Sequence, residues 1–208
     1  DTPKPDFLKD NENIEDFIRW ITPLLFDPEI AAKRVVLDKG VDLLAASANN
    51  FYENVNQKEA EEFYASMENP DPLKPLSFGL NSKLVKVDGK VEERVWRVGG
   101  MYSAAIERII FWLEKSIEVA ETNGQKAALE KLVEFYKTGN LQTFDEYNIL
   151  WLNDTESDVD VINGFIEVYG DALGRKATYE SVVQLHDFEG THRAEIISTN
   201  AEWFEMHS

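Results

Sequence analysis

Between residues 69 and 75 the chain reads Asn69-Pro70-Asp71-Pro72-Leu73-Lys74-Pro75, and three prolines in seven residues exclude a helix there. Each proline lacks the N–H that a helix needs and pushes the residue before it toward extended backbone. The chain must link or turn at this point. It therefore divides into a helical N-terminal segment, 1–69, and a hairpin plus helical region, 70–208. At 208 residues it can bury one sizeable core, and a single folded body is expected.

Before the break, Asn13 can cap a run from Ile14 to Leu25 in which Phe17, Ile18, Ile21, Leu24 and Leu25 recur at helical spacing. Pro23 should kink or end it. Pro28 opens a second expected helix, running through Ala48 and weakened at Gly40, and Asn56 precedes a third, 57–67. After the break, the β-prone runs 83–87 and 91–98 flank Asp88-Gly89, a dipeptide that favours a tight hairpin because both residues tolerate positive φ. A helix from about 103 to 121 and another from 125 to 137, closed by Gly139, follow as an amphipathic pair. Residues 143–152 suit a helix followed by a strand, 153–158 a loop, and 159–171 extended structure. A last helix runs roughly from Arg193 to Met206. The fold class is α+β, predominantly helical, with a small β component centred on the hairpin at about 83–98.

The formal net charge of −18 accompanies 43% hydrophobic residues, so the charge belongs on the surface of a folded protein. Binding of DNA, RNA or anionic membrane is disfavoured, since nucleic-acid binders depend on Lys and Arg replacing counterions. No apolar run is long enough to span a membrane, and Asp1-Thr2-Pro3-Lys4-Pro5 has neither the basic start nor the apolar stretch of a signal peptide. With no cysteine there is no disulfide and no thiolate metal site. The three histidines, His186, His192 and His207, do not stand in H-E-x-x-H spacing, and neither a G-x-S-x-G elbow nor a phosphate loop occurs. The five tryptophans are dispersed, and core packing rather than a ligand cage is the default expectation for them. Asn81 either holds the turn before the hairpin or binds substrate.

One group of carboxylates stands out. Asp158, Asp160, Glu167 and Asp171 punctuate an apolar, glycine-containing stretch, where carboxylates are costly unless they meet cations or solvent. Either they alternate outward from a half-buried strand, or Asp160 faces a cleft and receives a positive group of a ligand.

The string Trp151-Leu152-Asn153-Asp154, followed by Gly164-Phe165-Ile166-Glu167-Val168-Tyr169-Gly170-Asp171-Ala172-Leu173-Gly174, resembles the dipeptidyl peptidase III family. That family carries W-I-Q-D and then G-F-I-E-S-Y-x-D-P-F-G at this spacing. The likeness runs over about residues 70–208. It implies a two-lobed zinc exopeptidase that releases dipeptides from the N-termini of short peptides, and a cytoplasmic location. Its zinc helix, H-E-x-x-G-H, and its E-E-x-x-A-E/D helix are expected beyond Ser208, so zinc belongs to the parent enzyme and this segment alone is expected to be inactive. The implied partners are a short peptide and the remaining lobe of the same polypeptide. By the same resemblance Asp160 occupies the position of a Glu that binds the substrate's free amine, and Ile162 that of a Tyr in the same subsite; Asn163 and Gly164 complete the expected substrate-binding set. The competing reading is a non-catalytic helical module that binds peptide or protein.

Overall fold

The computed structural model describes residues 13–30, 32–67, 69 and 71–208. The readings made for Asp1 to Pro5 and for Pro70 lie outside them. Among the described residues 46% are helical and 17% lie in strands, which is the predominantly helical α+β class. The order is α1 (Ile14–Phe26), α2 (Leu43–Ala46), β1 (Tyr52–Glu53), α3 (Gln57–Ala65), β2 (Ser82–Val87), β3 (Lys90–Val95), α4 (Ser103–Glu118), α5 (Asn123–Thr138), α6 (Leu141–Asn153), β4 (Val159–Glu167), β5 (Thr178–Leu185), α7 (Phe188–Thr199) and α8 (Ala201–Met206).

Helix α5 is the centre of the main core. Its buried stripe of Ala128, Leu129, Leu132, Val133, Phe135 and Tyr136 meets Ile106, Ile110 and Leu113 of α4, Phe144 and Tyr147 of α6, and Phe165 of β4. Thr122 caps its start by accepting from Gln125 N–H, and Gly139 ends it at φ +73. Glycine is required twice over there, because a Cβ would also stand 2.6 Å from Val95 Cγ1. Asn81 donates its side-chain amide to the Gly139 carbonyl at 3.0 Å, tying this helix end to the entry of the hairpin.

Asp88 at φ +50 and Gly89 at φ +80 form the turn between β2 and β3. Strand β1 adds in parallel to β2, Tyr52 opposite Leu84, and with α3 covers a second cluster of Leu44, Val55, Ala60, Tyr64 and Leu84. The other sheet holds only β4 and β5, antiparallel, with no further strand on either outer edge among the described residues. Val183 and Leu185 of β5 are 62% and 74% exposed.

Four segments meet at Lys176, whose side chain is completely buried. Its ammonium donates to Tyr64 Oη of α3 and to Ser82 Oγ at 2.9 Å, and lies 3.6 Å from Glu93 Oε1. Tyr64 and Ser82 both donate to that same Glu93 oxygen, at 2.8 and 2.5 Å. Nearby, Tyr52 of β1 donates to Asp171 Oδ2 at 2.9 Å.

Several elements differ from the sequence reading. Among the described residues of 28–48 no continuous helix forms: Gly40 takes φ +84, and Val36 N–H donates to Ser47 Oγ rather than to a carbonyl one turn back. Asp42 then caps a new, short helix, α2. Helix α1 passes through Pro23 and ends at Phe26, within one turn of the missing N–H. Residues 143–152 are helical throughout, because the α6 aromatics reach the core at helical spacing and leave no strand. Strand β5 escaped notice, since its pattern registers only against β4. The final helical stretch starts earlier, at Phe188 with Asp187 as cap, and breaks at Asn200 into α7 and α8.

The buried junction yields a pH signature. Burial pushes the Lys176 ammonium down from 10.5 to about 8, only partly opposed by Glu93 and Asp171. Between those values the unfolded chain binds more protons, so stability rises with pH across that window. Tyr52 and Tyr64 act oppositely: burial and neighbouring carboxylates raise both above the ordinary 10.0, so their contribution is lost as unfolded tyrosine ionises above that value. Thermal melts should show Tm climbing from about pH 8 to a maximum near pH 10 and then falling. Lys176→Met should abolish the climb; an unchanged climb in that variant would show that another group causes it.

Candidate functional site

A cleft of about 720 Å³ opens between α6, the β4–β5 sheet and the 76–80 turn. Antiparallel register sets Ile162 opposite Val182, so both project from one face of the sheet into the lining. From α6, Phe144, Tyr147 and Trp151 follow at spacings of three and four and supply the facing wall. Leu76 and Phe78 extend the apolar surface. Asp145, Glu167, Glu180 and Arg175 bring charge to it, and burial raises the Asp145 carboxyl above the usual carboxylate range.

Asp160 is half-buried two residues before Ile162, on the same face of β4. Its Oδ1 accepts from Trp151 Nε1 at 2.7 Å, and its second oxygen makes no hydrogen bond to any described residue. Asp160 is not itself in the cleft lining; Trp151, which is, connects the two. Asn163 lies on the opposite face, 5% exposed, accepting from Tyr136 Oη at 2.5 Å and donating to Tyr179 Oη and Ser181 Oγ, each at 3.1 Å. Gly164 returns to the Asp160 face, where a Cβ would stand 2.8 Å from the Phe144 ring. The structure thus sets Ile162 in the cleft lining, Asp160 behind Trp151 and outside that lining, and Asn163 in a buried network.

The remaining carboxylates of the cluster do not converge. Asp158 is bonded to His186, Asp171 to Tyr52, and Glu167 lines the cleft. Sequence reasoning missed the Trp151–Asp160 bond, Asp145 and Arg175. Helical spacing of Trp151 from Phe144 and Tyr147 was the available signal for the first; nothing local marks Arg175.

Zinc, implied by the resemblance, does not fit these residues. Among the described residues no group of three or more His, Cys, Asp or Glu side chains could hold a metal ion. His186 uses both ring nitrogens, on Asp158 Oδ1 at 3.1 Å and Thr191 Oγ1 at 3.2 Å, and His207 stacks on Trp203. Nor is any helix among the described residues long and apolar enough to cross a membrane.

The tight packing at Gly164 is directly testable. Gly164→Ala forces the buried Phe144 ring to move and should cost about 1–3 kcal/mol of stability, read as a lowered urea midpoint. A midpoint equal to that of the parent would mean that the ring has room to shift.

Dipeptidyl peptidase 3 of Mus musculus is 27% identical over 139 residues, covering 66% of this chain but only 18% of the mouse protein. Its Rattus norvegicus counterpart is 25% identical over 103 residues, 50% of this chain and 14% of the rat protein. The solved structure of DPP III from Caldithrix abyssi superposes with TM-score 0.56 at 21% identity, covering 76% of this chain and 29% of its own. That of dipeptidyl-peptidase III from Corallococcus sp. strain EGB gives 0.54 at 20%, covering 73% and 27%. At such identities the structures establish a shared fold. The model of peptidase family M49 matches residues 46–205, which is most of the chain, and the chain belongs to that family.

Proposed function

We propose that this chain is part of a dipeptidyl peptidase and that its β4–α6 face receives the free N-terminus of a short peptide. The observation that carries this reading is Asp160, oriented by the Trp151 indole through one oxygen and left with the other available. A carboxylate held in that way rewards an ammonium over an uncharged N-terminus by roughly 1.5–3 kcal/mol. Ile162 in the adjoining wall can offer only apolar contact, so discrimination at this end rests on charge. Asn163 and Gly164 support the subsite by fixing β4, the first through its buried hydrogen bonds and the second by admitting Phe144 against the strand.

In this reading residues 1–69 and 70–208 act as one folded body within a two-lobed enzyme working in the cytoplasm. Zinc is the metal of this family, and in this reading another part of the parent polypeptide holds it. The 208-residue chain titrated with zinc should show no one-to-one uptake in calorimetry and should release no dipeptide with or without the metal. Tight stoichiometric uptake would overturn that assignment.

The amine-binding role is tested in the full-length parent enzyme with Asp160→Asn, assayed on free and N-acetylated peptides. Loss of about tenfold to a hundredfold in kcat/KM is expected on the free-amine substrate only. An undiminished preference for the free amine would return Asp160 to the role of a solvated strand carboxylate.

A further inference from the structure

Arg175 stands in the wall of the same cleft, and the fold holds it there from two sides. Its backbone N–H donates to Asp171 Oδ2 at 2.9 Å, as does that of Lys176, while Leu173 N–H donates to Oδ1 at 3.2 Å. Its guanidinium lies over the Tyr64 ring, 4.9 Å from the centroid. A guanidinium covered on one face keeps its in-plane N–H edges free, and those edges match a carboxylate in a two-pronged bond.

No hydrogen bond or ion pair joins that guanidinium to any described residue, in a chain with 39 acidic side chains against 21 basic ones. Want of a partner is not sufficient, for Arg108 on α4 shares it without an aromatic ring beneath. The combination of a clamped backbone, a stacked cation and a cleft wall distinguishes Arg175. Asp145, Glu167 and Glu180, also in the lining, disfavour an anion beside them, which leaves Arg175 as the cation among the lining residues.

We propose that Arg175 binds a carboxylate of the peptide in the cleft, either an acidic side chain or the peptide's own C-terminus. The inference rests on the peptide-binding reading above. Its geometry also sets a distance. Arg175 lies three residues before Thr178, which pairs with Glu167, whereas Asp160 is seven residues before Glu167 on β4. Because the strands are antiparallel, Arg175 lies beyond the Glu167 end of the sheet from Asp160, at least seven residues away or about 23 Å at 3.3 Å per residue. A peptide that reaches both charges therefore needs at least seven extended residues between its amine and the carboxylate.

The test uses the full-length parent enzyme and three seven-residue alanine-based peptides with free N-termini: one with a C-terminal acid, one amidated, and one amidated with Glu at position seven. Dissociation constants are measured for wild type, Arg175→Gln and Arg175→Lys. Wild type should bind at least one carboxylate-bearing peptide about fivefold more tightly than the plain amide, and which of the two gains identifies the source of the carboxylate. Arg175→Gln should erase that gain without changing the Kd of the plain amide; Arg175→Lys should keep part of it. Equal weakening of all three peptides, or survival of the gain, overturns the assignment and leaves Arg175 a structural residue. If the gain vanishes in Arg175→Gln while Asp160→Asn leaves the free-amine preference intact, the amine subsite fails and Arg175 stands. If no peptide binds, the peptide reading falls and this inference with it.

Discussion

A lysine ammonium removed completely from water is the constraint around which the rest of this structure is arranged. Isolating such a charge in an apolar interior would be prohibitive, so every segment that touches Lys176 must present oxygen. Tyr64 comes from α3, Ser82 and Glu93 from the β2–β3 hairpin, and Asp171 caps the loop that carries Lys176 itself. The proline-rich stretch separates Tyr64 from the other three in sequence, and the ammonium joins them in space. A side chain brought in without its partners would leave charge or hydroxyl unsatisfied, so the segments have to assemble together.

This arrangement also explains what could be read from the chain and what could not. The hairpin turn at Asp88-Gly89, the caps at Asn13 and Asn56 and the stop at Gly139 are local: each follows from backbone preferences of one or two residues. The helical stripe of α5 was likewise visible in its spacing. Non-local preferences were not. Residues 28–48 have apolar periodicity enough for a helix, yet Val36 N–H goes to Ser47 Oγ and Ala48 N–H to the Lys33 carbonyl, pairings that a periodic pattern does not encode. Strand β5 and the two-residue β1 exist only because β4 and β2 lie beside them.

The site divides along the same line. Asp160 is proposed as a site residue on its match to a family pattern, and its neighbourhood in the fold adds the hydrogen bond from the Trp151 indole. Asn163, chosen from the same stretch, lies one pleat away and so faces the interior, where Tyr136, Tyr179 and Ser181 engage its polar atoms. The period of two along a strand separates adjacent residues that a motif presents as a group. Arg175 shows the converse: it belongs to no pattern, and only the Asp171 clamp and the Tyr64 ring give it a defined place.

The open edge of β5 has a bearing on how such a chain behaves in solution. A strand paired on one side only among the described residues, with Val183 and Leu185 exposed, is a template for pairing with another molecule. The opposing influence is the net charge of −18, which keeps like molecules apart only while their fields reach one another. Added salt shortens that reach to a few ångströms and leaves the strand edge unaltered. Colloidal behaviour is consequently governed by ionic strength: dilute buffer keeps the molecules dispersed by charge, and concentrated salt exposes them to edge-to-edge association.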